Sequence, residues 1–123
     1  MVELNAEVKS KALSAIRTLS RLGTVRAAYL FGSHVEGRAD SWSDIDVALF
    51  IKGIETWDIQ RRARAMAQVQ EDAGLDVEAH LFPAKAIDNP PIASFAEYIL
   101  NHGVPIKYEE WEKELEHEEI RHQ

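Results

Sequence analysis

Two aspartates one residue apart, Asp44 and Asp46, open the apolar run DIDVALF at residues 44–50. In a strand alternate side chains share a face, so the two carboxylates would project together while Ile45 and Val47 point into a core. At about 3.3 Å per residue they stand roughly 6.6 Å apart along the strand. Like charges held this close in a partly buried place resist double ionisation unless a cation compensates them. Oxygen ligands with open coordination positions suit Mg²⁺ or Mn²⁺, with substrate phosphates completing the shell. A solvated strand end is the plain alternative, and a lone D-x-D does not decide between the two.

The residues just upstream add weight. Val25 to Phe31 has the aromatic and β-branched bias of a strand, and Gly32-Ser33 ends it. Glycine lets backbone N–H groups approach an anion, and Ser33 adds a hydroxyl at the start of a helical turn expected over residues 33–39. Gly37 keeps that segment compact. A Gly-Ser pair by itself is a turn. Strand, G-S-x3-G, six residues and then D-x-D leading a second strand is a joint arrangement that a chance turn does not predict.

The elements that must position these residues follow from periodicity and punctuation. Leu4, Val8, Ala12, Ala15, Leu19 and Leu22 recur at spacings of three and four, which predicts an amphipathic helix over 5–22 that Gly23 stops. Strands are expected over 25–31 and 44–51, the second closed by Lys52-Gly53. A helix is expected over 56–73, with Thr56 as N-cap and Gly74 as the stop. A third strand is expected over 75–82, terminated by Pro83, then a helix over 92–102 halted by Gly103 and a last strand over 104–108. Strands alternating with helices in this order give an α/β (α+β) fold, a small mixed sheet with flanking helices. No internal repeat or low-complexity linker is present.

At 123 residues the chain fits one domain, with no room for a separate substrate domain. No apolar run is long enough to span a bilayer, and the N-terminus has no secretory pattern, so a cytoplasmic protein is expected. The absence of cysteine excludes disulfides, thiolate catalysis and Cys-based zinc sites. The net charge of −7 argues against nucleic-acid binding by the surface as a whole. Residues 109–123 hold seven acidic and two basic side chains, a net of −5, which leaves −2 for residues 1–108. An acidic C-terminal helix over 108–123 is therefore set apart from a domain over 1–107. On it Tyr108, Trp111 and Leu115 form a narrow apolar stripe that either packs back on the domain or docks on a partner.

With these elements in place, GSHVEGRADSWSDIDVALF at 32–50 resembles the signature of the DNA polymerase β-type nucleotidyltransferase superfamily, in its minimal nucleotidyltransferase (MNT) branch. The order of elements follows that family through about residue 107. The resemblance implies a polymerase β-type nucleotidyltransferase fold in which Gly32 and Ser33 hold the triphosphate, with Gly37 and Ser43 in the same binding segment. It implies that Asp44 and Asp46 ligate two metal ions, Mg²⁺ or alternatively Mn²⁺. The family also uses a third acid on a neighbouring strand. In LDVEAHLF the residues Asp76, Glu78 and His80 alternate on one face; Glu78 is taken for that role, with Asp76 left open. His80 is read as a solvent-facing strand residue, with an acceptor-side role as the alternative.

The implied reaction moves a nucleoside monophosphate, AMP if ATP is the substrate, onto a hydroxyl and releases pyrophosphate. Family members of this size resemble antitoxins encoded beside a HEPN-domain RNase toxin, so a tyrosine of such a toxin is the expected acceptor and partner. Two other readings stand beside it: a binding module of the same fold that neutralises a partner by contact alone, and a transferase acting on RNA or a small molecule. A homo-oligomer is compatible with the sequence. Arg61, Arg62 and Arg64, with Arg38, form either a basic edge for phosphate or a solvated face balanced by Glu55, Asp58 and Glu71, the latter preferred. Trp42 is expected to pack against the body rather than stack on a base. His34 stands where many relatives have arginine.

Overall fold

The computed structural model describes residues 5–40 and 42–107; the expected C-terminal helix with Tyr108, Trp111 and Leu115 lies outside the described residues. Helix α1 (Ala6–Leu22) begins where Asn5 Oδ1 accepts the Val8 N–H at 3.0 Å and ends where the Gly23 N–H donates to the Leu19 carbonyl. Strand β1 (Thr24–Phe31) leads into the single turn of α2 (Ser33–Glu36), closed by Gly37 in the left-handed region. Strand β2 (Ile45–Lys52), helix α3 (Ile59–Ala73) and strand β3 (Val77–Pro83) follow, then α4 (Phe95–His102) and the two-residue β4 (Val104–Pro105).

The strands form one mixed sheet in the order β3-β2-β1-β4. β2 runs antiparallel to β1 and parallel to β3, and α3 makes the crossover that a parallel pair requires. Being internal, β2 is covered on both faces. Ile45, Val47, Leu49 and Ile51 face a core built with Val8, Ala12, Ile16 and Leu19 of α1 and Ala65 and Val69 of α3. Ala48 and Phe50 face a second core with Phe31, Ala86, Ala96 and Ile99. Two covered faces explain why this strand is nearly continuously apolar after Asp46. None of the described helices is long and apolar enough to cross a membrane.

Most element boundaries shift by a residue or two from expectation, and three shift for identifiable reasons. Helix α3 starts at Ile59, with Asp58 as its N-cap, its Oδ1 accepting the Arg61 N–H at 2.7 Å. Thr56 instead ends a 3-10 turn over Ile54–Thr56, its hydroxyl donating to the Gly53 carbonyl at 2.8 Å. The chain must first turn Trp57 into the core, where it is 6% exposed. Strand β3 starts at Val77 because Leu75 points out, 85% exposed, and the Val77 N–H donates to the Gly74 carbonyl in a turn. Helix α4 starts at Phe95, where the Ser94 hydroxyl caps the Glu97 N–H at 3.1 Å.

Candidate functional site

The C-terminal end of β1 and the N-terminal ends of β2 and β3 come together at one edge of the sheet. There Phe31, Asp46 and Glu78 form a row across three strands, Phe31 opposite Asp46 in the antiparallel pair and Asp46 opposite Glu78 in the parallel one. The two carboxylates belong to neighbouring strands in register, so the sheet itself fixes their spacing.

Asp46 is half-buried and both its oxygens meet protein. Oδ1 lies 3.0 Å from His80 Nε2, and Oδ2 lies 2.6 Å from where a side chain on Gly32 would begin. Gly32 has φ +83 and ψ −155, a conformation essentially reserved for glycine. The Gly-Ser step is thus in direct register with the carboxylate. From Gly32 the chain enters α2, where the Val35 and Glu36 N–H groups donate to the Gly32 carbonyl, each at 3.0 Å. The first amides of such a turn have no partner further back in the helix and face whatever lies beyond its start. Gly37, at φ +77, ends the turn by donating to the Ser33 carbonyl.

Glu78 is half-exposed, and its Oε1 lies 4.0 Å from His80 Nε2. Asp46, Glu78 and His80 each offer a ligand atom within 4.8 Å of one another. Their donor set, two carboxylates and an imidazole, fits a divalent cation. Asp44 is not in that group. It precedes the first ladder residue of β2 and is exposed. It lines, with Glu78, Met66 and Gln70, a groove of about 370 Å³ beside α3.

Asp76, left open as the third acid, is turned away. Its two carboxylate oxygens accept from Lys11 Nζ of α1 at 3.0 and 2.9 Å. Ser43 sits in the loop before Asp44, where its hydroxyl donates to Asp40 Oδ1 at 3.2 Å and accepts the Asp40 N–H at 3.0 Å. The Ser43 carbonyl lies 3.3 Å from His34 Nε2, which ties that loop to the start of α2. Trp42, expected to pack, is 90% exposed.

Two of the three arginines of α3, Arg61 and Arg62, are engaged elsewhere. Arg62 donates to the carbonyls of Trp57 at 3.1 Å and Ile54 at 2.8 Å, and the Arg61 guanidinium lies 4.1 Å from the centre of the Trp57 ring. Arg38 pairs with Glu36. Glu36 also accepts from the Tyr98 hydroxyl at 3.0 Å, and these two donors, Arg38 first, hold its carboxyl below the usual range.

His80, like Trp42, does not lie where its sequence context suggests. Rather than facing solvent it is half-buried, with ring edges against Phe31 at 4.8 Å and Phe95 at 5.9 Å between centroids. The E-x-H spacing on one strand was the available signal that it shares a face with Glu78. Phe95, which closes over it from α4, carried none.

Comparison with known proteins adds three findings. The family model for polymerase beta nucleotidyltransferases matches residues 14–112. A protein from Sulfolobus solfataricus, described in its crystal structure as a candidate nucleotidyltransferase, is similar at 18% identity and TM-score 0.46, over 72% of this chain and 84% of its own. A toxin-antitoxin crystallised with AMP-PNP is similar at 22% identity and TM-score 0.51, over 84% of this chain and 80% of its own. No curated protein matches the chain.

Proposed function

Since the chain belongs to the polymerase beta nucleotidyltransferase family, we propose that it transfers AMP from ATP to a protein hydroxyl, a tyrosine of a HEPN-type toxin that it neutralises. The observation that carries the transferase reading is the row of Asp46 and Glu78 across the parallel pair, with Gly32 packed against Asp46. A structural strand end has no use for two neighbouring carboxylates in register beside a glycine-only turn. The toxin and the adenine nucleotide enter from the toxin-antitoxin neighbour solved with AMP-PNP.

In this reading Gly32 and Ser33 bring the start of α2 to the triphosphate, with Gly37 and Ser43 shaping the segments on either side. Asp46 and Glu78, joined by Asp44 from the exposed start of β2, would hold Mg²⁺ or Mn²⁺, which when bound would neutralise phosphate charge and acidify the acceptor hydroxyl. Asp46, fixed by its neighbours, and Asp44, on the more exposed side, would act on the triphosphate only through the cation they hold, since a carboxylate repels phosphate directly. The acceptor oxygen bonds to the α-phosphorus, the bond to pyrophosphate breaks, and the hydroxyl proton passes to Glu78. Arg61 and Arg62, engaged with Trp57 and backbone carbonyls, take no part.

The test is incubation of the purified protein with Mg²⁺, ATP labelled at the α-phosphate and a lysate of its source cells, with Asp46→Asn as control. Asparagine keeps the shape and one oxygen but removes the charge. We expect label in a discrete protein band, on tyrosine, with wild type, and background label with the variant. Label in RNA alone would replace the protein acceptor with a nucleic-acid end. Equal label with both proteins would overturn the site.

A further inference from the structure

We propose that His80 supplies a nitrogen ligand to the cation held by Asp46 and Glu78, so that the site selects Mn²⁺ or another imidazole-binding ion over Mg²⁺. The inference rests on the nucleotidyltransferase reading and deepens it.

The geometry starts from separations. Adjacent ligands of an octahedral ion at about 2.1 Å from the metal stand about 3.0 Å apart, and opposite ones about 4.2 Å. His80 Nε2 lies 3.0 Å from Asp46 Oδ1 and 4.0 Å from Glu78 Oε1. The first separation is that of neighbouring ligands. The second lies between the two limits, and the half-exposed Glu78 side chain has the freedom to adjust it.

The ring is also held in place. Phe31 meets it at an interplanar angle of 67° and Phe95 at 89°, both edge contacts that restrain the ring while its Nε2 lies 3.0 Å from Asp46 Oδ1. A ligand whose orientation is fixed beforehand loses little entropy on binding. Each of the three residues comes from a strand position set by register: Asp46 opposite Glu78, and His80 two residues along on the same face. Among the described residues these three are the metal-ligating side chains that converge.

Chemistry then sets the preference. Mg²⁺ takes oxygen ligands and keeps its waters, whereas imidazole suits transition ions. Exchanging one oxygen position for nitrogen therefore costs Mg²⁺ more than Mn²⁺. If His80 were only a hydrogen-bond partner that orients Asp46, no such discrimination would follow.

Electron spin echo spectroscopy on the protein loaded with Mn²⁺ and inorganic triphosphate, which contains no nitrogen, separates the two. We expect ¹⁴N modulation from a bound imidazole in wild type, its replacement by a ¹⁵N pattern when histidine is ¹⁵N-labelled, and its loss in His80→Gln. The labelled wild type carries the test even if the variant folds poorly. In titrations His80→Gln should weaken Mn²⁺ by about tenfold or more while changing Mg²⁺ little. Mn²⁺ bound by wild type and removed by Asp46→Asn, but without nitrogen modulation, would overturn the ligand role and leave the transferase reading intact. No Mn²⁺ binding sensitive to Asp46→Asn would sink both.

Discussion

Gly32 ties the backbone to the chemistry more tightly than any other residue at the site. Its φ of +83 with ψ −155 is strained for any side chain, and a β-carbon there would meet Asp46 Oδ2 at 2.6 Å. Gly32→Ala should therefore cost about 1–3 kcal/mol in folding free energy. It should also push the Asp46 carboxylate off its place between His80 and the turn, so transfer falls further than stability explains. Urea unfolding together with turnover at a temperature where the variant stays folded checks both. A stable variant with normal turnover would mean that the close approach of Gly32 and Asp46 is incidental. Its identity as a turn glycine was legible from Gly-Ser after an apolar strand. Its contact with Asp46 was not, because that depends on the pairing of Phe31 with Asp46 across two strands.

At the scale of elements, α3 has to begin at the right place for β3 to return parallel to β2 and set Glu78 beside Asp46. Asp58 defines that start through its bond to the Arg61 N–H, and Thr56, two residues earlier, belongs to the 3-10 turn. Asp58→Ala should destabilise the domain by about 0.5–2 kcal/mol, whereas Thr56→Ala, which removes only an exposed bond to Gly53, should cost less. Thermal unfolding of the two variants in parallel decides it, and the reverse order would restore Thr56 as the cap. Thr56 and Asp58 are both ordinary N-cap residues, and no periodicity shows that Trp57 must be buried between them. The strand beginning at Ile45 was legible for the opposite reason. Its alternation brackets Asp46 with Ile45 and Val47, and its unbroken apolar run fits an internal strand with two covered faces. The edge elements were least legible: β4 is a two-residue pairing opposite Tyr29 and Leu30, which leaves no alternation to read.

Over the whole molecule, two charged links fasten α1 to the α3–β3 crossover and so stand behind the position of Glu78. Asp72, near the end of α3, accepts from the buried Thr18 hydroxyl at 2.7 Å and pairs with Arg21 at 3.4 Å. The Thr18 hydroxyl first, then Gln68 and the neighbouring arginines, holds the Asp72 carboxyl below its ordinary range against the opposing effect of burial. A carboxyl depressed in the folded state stabilises above its unfolded pKa and loses that contribution as pH falls through the folded value. The loss for Asp72 thus belongs below about pH 4. Lys11 is the mirror case. Its bond to Asp76 raises its pKa, so its contribution is fully present below the ordinary lysine value, about 10.4, and disappears as pH climbs through the raised one. Between these limits stability should be nearly flat as far as these two groups are concerned. Asp72→Asn keeps an oxygen for Thr18 but removes the charge, so it should lower the neutral plateau by about 1–2 kcal/mol and shallow the fall below pH 4. Unfolding midpoints by circular dichroism from pH 3 to pH 11 show whether this happens. An acid limb parallel to that of wild type would place the sensitivity in other carboxyls. A shallower one would show that the link between α1 and α3, remote from Asp46, sets the acid limit within which β3 keeps Glu78 in register.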